Sequence, residues 1–328
     1  MRAALVAEHG TPAGVAVVDL PDPEPGPGQV LVRVHAAAIN FPDVLIVADR
    51  YQVSAPVPFV PGSEFAGVVE ALGPGVAGPP VGSRVMGAAF TGAFAERVVA
   101  PAAALRPIPE GLDMVAAAAF SVTYGTAYHS LCTVGAGHPG DWVVVLGAAG
   151  GVGSATVDVA TRLGMRVIAA ASSPDRLQAA ARLGAEAGID YTREDLKTRI
   201  KELTGGAGAD VVVDPVGGDH SEAALRALRW GGRFVTVGFA DGRIPRIPLN
   251  LVLLKGVVLR GFEGRSMSRY APEAVAAADE ALARLVAEGL RPFVSEVRPL
   301  ADAAAALTDV AERRTTGKVV LEVLPSGR

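Results

Sequence analysis

Gly147-Ala148-Ala149-Gly150-Gly151-Val152-Gly153 is the stretch that decides the reading of this 328-residue chain. The apolar run Trp142–Leu146 precedes it, and Val152, Ala155, Thr156, Val159 and Leu163 follow at helical spacing. Strand, small-residue turn and helix, in that order, open a βαβ unit. Within it, Ala148-x-Gly150-x-x-Gly153 is the dinucleotide fingerprint with alanine in the first place. Small residues there allow a tight turn, close approach of a pyrophosphate to the backbone, and close helix–sheet contact. The anion would meet the free N–H groups of the helix start. On this reading Ala149, Gly150, Gly151 and Val152 hold it, and the alternative is a glycine-rich turn without a ligand.

The next apolar run, Arg166–Ala171, tells one dinucleotide from another. An NAD site usually carries an acidic residue about 20 positions beyond the fingerprint, on the ribose hydroxyls. Here the run ends in Ser172-Ser173-Pro174-Asp175-Arg176, with two hydroxyls and an arginine but no carboxylate at the strand end. Arg176 falls in the first turn of a helix, where the macrodipole disfavours a cation, so a phosphate partner accounts for it better than an idle surface position. NADPH is therefore the expected cofactor. Further runs at Gly188–Asp190, Asp210–Asp214, Arg233–Gly238 and Lys255–Gly261 alternate with helices near Arg193–Thr204 and His220–Leu228. That alternation predicts an α/β fold, a doubly wound parallel sheet covered on both faces.

The first 110 residues hold most of the prolines and read as short strands: Ala3–Val6, Gly14–Leu20, Gln29–Ala37, Gly67–Leu72, Arg84–Met86 and Phe94–Val99. They predict a β-rich, barrel-like domain. From Tyr270 come an alanine-rich helix, a short element at Val294–Val297, another helix, and the strand Lys318–Val323.

Half of the residues are hydrophobic, 20% are charged and the net charge is −4. This excludes a disordered chain and any global basic field for nucleic acid or anionic membrane. The single cysteine, Cys132, makes no internal disulfide and no cysteine-built zinc site, and reads as a small buried hydrophobe. Met114–Gly140 lacks charged residues, but its serines, threonines, histidines and glycines predict a buried segment rather than a membrane span. The apolar start is too short for a signal peptide, so a soluble cytoplasmic protein is expected.

Several motifs stand in a telling order: Asn40-Phe41-Pro42-Asp43, Tyr51, Pro61-Gly62-Ser63-Glu64-Phe65-Ala66-Gly67-Val68-Val69, Val122-Thr123-Tyr124-Gly125-Thr126-Ala127, Gly147–Gly153, Asp214-Pro215-Val216-Gly217-Gly218, Val237-Gly238-Phe239-Ala240 and Thr316-Gly317-Lys318-Val319-Val320-Leu321. With these the chain resembles the zinc-independent NADPH:quinone oxidoreductases of the medium-chain dehydrogenase/reductase superfamily, the group that includes zeta-crystallin. The resemblance covers nearly the whole length. It implies a GroES-like catalytic domain from both chain ends (1–120 and 263–328) and an NADP-binding Rossmann domain (121–262). It also implies a homodimer, and the apolar run Val257-Val258-Leu259 in the last strand is the expected seam.

The resemblance assigns roles by position. Asn40, Tyr51 and Thr126 match residues around the nicotinamide, with Asn40 and Tyr51 as catalytic candidates. Arg176 and Tyr191 match positions on the 2′-phosphate, joined by Ser172 and Ser173. Val216, Gly217, Gly238, Phe239 and Ala240 complete the cofactor set. Zinc-dependent relatives carry a cysteine near Asn40 and a Gly-His-Glu run where this chain has Gly62-Ser63-Glu64, so no metal is expected. The alternatives are a packing role for Tyr51, a turn role for Asn40 before Pro42, and a back-bond to the helix for Thr126. Relatives commonly have bulky aromatics where this chain reads Gly261-Phe262-Glu263-Gly264-Arg265, which places a carboxylate, Glu263, near the substrate. The expected activity is NADPH-dependent reduction of quinones or conjugated carbonyls. Its rivals are an enoyl-thioester or alkenal double-bond reductase, and an NADPH-binding protein with little turnover.

Overall fold

The computed structural model describes residues 1–324. Its strands, in chain order, are β1 (Arg2–Leu5), β2 (Ala16–Asp19), β3 (Gln29–Ala38), β4 (Glu64–Leu72), β5 (Arg84–Ala88), β6 (Arg97–Pro101) and β7 (Leu105–Pro107). They continue with β8 (Trp142–Leu146), β9 (Arg166–Ala171), β10 (Ala187–Asp190), β11 (Ala209–Asp214), β12 (Leu228–Thr236), β13 (Val258–Gly261), β14 (Val294–Pro299) and β15 (Lys318–Glu322). The chain forms two units. One is Met1–Val122 with the chain from Arg291 onward; the other is Thr123–Leu290. The alanine-rich helix, Pro272–Ala287, thus falls in the second unit, whereas the sequence reading set 263–328 with the chain's beginning.

In the first unit β3 is the centre. It pairs antiparallel with β4, β6 and β15, and the sheet runs β14-β15-β3-β4-β5-β7. Val30, Val32 and Val34 alternate inward along β3 and pack with Phe65, Phe94, Leu307 and Leu321. The expected strand Phe94–Val99 is divided: Phe94 and Glu96 bond to the chain around β1, and β6 proper starts at Arg97. The helix Phe41–Val47 has no apolar period to announce it. It starts from Asn40, whose backbone N–H donates to the Asp43 carboxylate at 2.8 Å, and Pro42 suits its first turn.

The second unit holds an all-parallel sheet in the order β10-β9-β8-β11-β12-β13. Val143 to Leu146 of β8 are all fully buried, as expected of a strand covered on both faces. The last strand is shorter than its apolar run. Leu249–Lys255 is a helix, and Gly256 ends it in the left-handed region at φ 56° before β13 begins. β13 is an edge strand with Val258 and Leu259 exposed. Among the described residues, no helix is long and apolar enough to cross a membrane.

Candidate functional site

The loop from β8 into the helix Gly151–Arg162 is built from backbone. Gly147 turns at φ 61°, its carbonyl accepts from Gly150 N–H at 2.9 Å, and Ala148 N–H bonds Ala170 at the end of β9. A side chain on Gly153 would put its Cβ 2.1 Å from the Gly147 carbonyl oxygen, so only glycine lets the helix start this close to the turn. Gly150 is the N-cap, and the first helical N–H groups, from Gly151 onward, have no intrahelical acceptor. Ala149 is buried, while Gly150, Gly151 and Val152 are half-buried. The cradle fits a pyrophosphate.

Beside it lies the end of β9. Asp190 of β10 pairs with Ala171, and Tyr191 N–H donates to the Ala171 carbonyl, which brings Tyr191 alongside Ser172 and Ser173. Ser173 caps the helix Pro174–Arg182 by accepting from Arg176 N–H at 3.4 Å, so Arg176 rides on the first turn. The Tyr191 ring packs on His220 with centroids 4.2 Å apart. Four of the sequence-predicted residues therefore converge at one strand end.

Across the sheet a further residue organises the loops, one that the fingerprint search passed over. The Asp214 carboxylate accepts from Val216 N–H and Gly217 N–H, both at 2.8 Å, and from the Ser221 hydroxyl at 2.6 Å. Burial pushes its pKa up, against those same hydrogen bonds. Ala240 N–H reaches Pro215 and Asp241 N–H reaches Val216, which laces the Gly238–Ala240 loop to Val216–Gly217. Val216, Gly217, Gly238, Phe239 and Ala240 thus form one continuous rim. Thr126 is half-buried on the separate helix Ser121–Tyr128, next to Gly125, around whose absent Cβ there is open space.

In the first unit the register of three strands brings distant charges together. Ala38 of β3 pairs with Glu64 at the start of β4, and Ile39 N–H bonds Val319 of β15. Lys318, 3% exposed, donates to the Ile39 carbonyl at 3.0 Å, to Asn40 Oδ1 at 2.7 Å and to Glu64 Oε2 at 3.1 Å. Glu64, wholly buried, also accepts from Asn40 Nδ2 at 3.1 Å and from Val122 N–H at 2.7 Å. Asp43 is buried beside them. Desolvation pushes its pKa up to about 6, against hydrogen bonds from Ser63 and Asn40 and the charge of Lys318. Tyr51 lies half-buried in the irregular segment beyond Asp49. Glu263 does not stand as a loose carboxylate: it caps the helix Gly264–Tyr270 through Arg265 N–H and Ser266 N–H. Burial pushes the Cys132 thiol up to about 11, as befits a packing residue.

Sequence reasoning missed Lys318 and Asp214. The signal for Lys318 was a lone cation opening an otherwise apolar strand, Lys318-Val319-Val320-Leu321, where burial demands a partner.

Comparison with known proteins fits this geometry. Residues 26–110 match the model of the alcohol dehydrogenase GroES-like domain, and residues 151–280 that of the zinc-binding dehydrogenase. The quinone oxidoreductase-like protein 2 of Bos taurus is 39% identical over 329 residues, covering 98% of this chain and 92% of its own. The chain belongs to the quinone oxidoreductase branch of the medium-chain dehydrogenase/reductase superfamily. Two solved members of that branch superpose along the whole length. The quinone oxidoreductase of Thermus thermophilus, solved free and with NADPH, has TM-score 0.86 and 36% identity over 98% of this chain and all of its own. The Escherichia coli enzyme, complexed with NADPH, has TM-score 0.91 and 28% identity with the same coverage.

One matching model bears zinc in its description, and the side chains here do not fit that metal. A dication beside Glu64 would face the Lys318 ammonium, already 3.1 Å from the oxygen it would need. Asn40 and Ser63 are weak ligands beside the thiolates and imidazoles that zinc prefers. Among the described residues no group of three or more His, Cys, Asp or Glu side chains could hold a metal ion.

Proposed function

We propose that this protein is an NADPH-dependent reductase of quinones or related conjugated carbonyl compounds, and that it works without zinc. The observation that carries the reading is full-length likeness to quinone oxidoreductases solved with NADPH, combined with a strand end that offers Ser172, Ser173, Arg176 and Tyr191 but no ribose-binding carboxylate. NADPH, when bound, supplies the hydride. The chain's own residues do the rest. The Gly147–Gly153 turn and the helix N–H groups hold the pyrophosphate, and Arg176 and Tyr191 hold the extra phosphate. Asp214 shapes the rim Val216, Gly217, Gly238, Phe239 and Ala240, which with Thr126 holds the nicotinamide. Asn40 and Tyr51 donate hydrogen bonds to the oxyanion that develops on the acceptor, the task a metal performs in zinc-dependent relatives.

The test is oxidation of NADPH by the purified protein with ortho- and para-quinones, an alkenal and an enoyl thioester as acceptors. Quinone-dependent oxidation with NADPH preferred over NADH is expected. Turnover with the enoyl thioester alone would replace this reading by double-bond reduction. Stoichiometric NADPH binding with no acceptor above background would leave only a binding protein. We also propose that the protein is cytoplasmic and a homodimer; for the dimer, the outer edge of β13 has no strand partner among the described residues and exposes Val258 and Leu259, with Trp230 and Leu254 exposed as well. Light scattering at micromolar concentration should give twice the chain mass, and a monomer would end that proposal.

A further inference from the structure

Asn40, Glu64 and Lys318 form a closed triangle in which every pair is hydrogen-bonded. The carboxamide of an asparagine is nearly symmetric in shape, so its direction depends on what faces each end. Here the two ends face groups of opposite and fixed character. An ammonium only donates, so the atom against Lys318 must be the carbonyl oxygen. An ionised carboxylate only accepts, so the atom against Glu64 must be the amide nitrogen. A flipped Asn40 would set N–H against N–H⁺ and oxygen against oxygen at both ends. Lys318 spends all three of its hydrogens, on Ile39, Asn40 and Glu64, and is too deeply buried to meet a ligand itself. Asn40 keeps one amide hydrogen whose only acceptor among the described residues, the Ala38 carbonyl, lies at 3.5 Å, too long for a firm bond.

We propose that Lys318 and Glu64 are positioning residues that lock the Asn40 carboxamide with its free N–H toward the acceptor. The buried cation thereby fixes a donor where zinc-dependent relatives would place a metal. This rests on Asn40 acting in the reaction proposed above, but the locking itself can be read without turnover.

The experiment compares the wild-type chain with the K318M/E64Q double variant, which removes both charges. K318M alone would strand Glu64 as an uncompensated buried charge and endanger folding; the neutral pair removes that charge, and work below about pH 6 keeps the neighbouring Asp43 protonated. In E64Q the Val122 N–H still claims the side-chain oxygen, so the new Nε2 faces Asn40 and works against its wild-type direction. The chain has only two asparagines, Asn40 and the exposed Asn250. Selective ¹⁵N-asparagine labelling therefore yields two side-chain amide pairs, assigned with N250D. In the wild type the Asn40 pair should be single and slow to exchange with solvent. In K318M/E64Q it should double or exchange rapidly; an unchanged single, protected pair overturns the proposal. In turnover, the double variant should lose about tenfold to a hundredfold in kcat, as expected for a misplaced reacting group, with NADPH affinity retained. In an N40A background the same double change should cost less than about twofold, because no carboxamide is left to misplace. A folded double variant at full rate overturns the proposal while the reductase reading stands. If the wild type reduces no acceptor, that reading fails, and the amide spectra still decide whether Lys318 and Glu64 lock Asn40.

Discussion

In the second unit the candidate site is built largely from backbone, around Gly147–Gly153 and Val216–Gly218. In the first unit the candidate site is a network of side chains, those of Asn40, Glu64 and Lys318, drawn from positions up to 278 residues apart. The contrast decides how each part tolerates change. A backbone cradle depends on the absence of atoms, and adding one methyl group damages it. A buried charge network depends on the presence of every member, and its weak point is a change of protonation or the loss of one partner. The two parts should therefore fail under different conditions, one under steric substitution and the other with pH.

The larger effect is expected in the charge network, at Asp43. Its Oδ2 accepts from Asn40 N–H, and the whole side chain is buried. Burial raises its pKa from 3.8 to about 6, so the folded protein binds this proton more tightly than the unfolded chain does. Its contribution to stability is thus fully present below pH 3.8 and lost as the pH rises through about 6, the reverse of a salt-bridged aspartate. A shift of that size corresponds to roughly 3 kcal/mol between the two limits. The carboxamide of a D43N variant cannot titrate and still offers an oxygen to Asn40 N–H. Urea-unfolding midpoints measured from about pH 4 to about pH 8, a range that spans the transition, should show D43N gaining on the wild type as the pH rises. Parallel curves would mean that Asp43 ionises normally inside the fold.

The same contrast explains what could be read from the sequence. The nucleotide unit was legible because its information is local. Gly147–Gly153, the carboxylate-free Ser172-Ser173 and the alternating apolar runs each carry their meaning within a few residues, and β8 and β9 lie where those runs lie. The β-rich unit was legible as a class but not in its site. Glu64 opens β4 and Lys318 opens β15, and each looks like a surface charge until strand register sets them 3.1 Å apart. The short helix Phe41–Val47 was illegible for a related reason, because its start depends on the Asp43 carboxylate bonding back to Asn40. Glu263 was legible as a carboxylate but not as a cap. The sequence Gly261-Phe262-Glu263-Gly264 put a carboxylate near the substrate but did not show that its oxygens accept from the helix it caps.

The smaller effect is expected in the backbone cradle, where two nearby glycine positions separate folding from binding. At Gly153 a methyl group would lie 2.1 Å from the Gly147 oxygen and 2.9 Å from Ala148 Cα, so the turn or the helix must move. Overpacking of this kind costs about 1–3 kcal/mol, and G153A should lower the urea midpoint accordingly while also weakening NADPH. At Gly150 the backbone is extended at φ −79°, and the nearest atom to an added methyl, the Gly147 oxygen, is 3.4 Å away. The protein itself accommodates alanine there, so the stability of G150A should stay within about 0.5 kcal/mol of the wild type. Any loss of NADPH affinity in G150A then comes from the pyrophosphate, which needs the space the methyl group fills. A loss of about tenfold or more in a fluorescence titration is the expected result, the equivalent of about 1.4 kcal/mol. Unchanged affinity in G150A would show that no phosphate approaches the backbone at this turn, and the cradle would then be a packing device between helix and sheet.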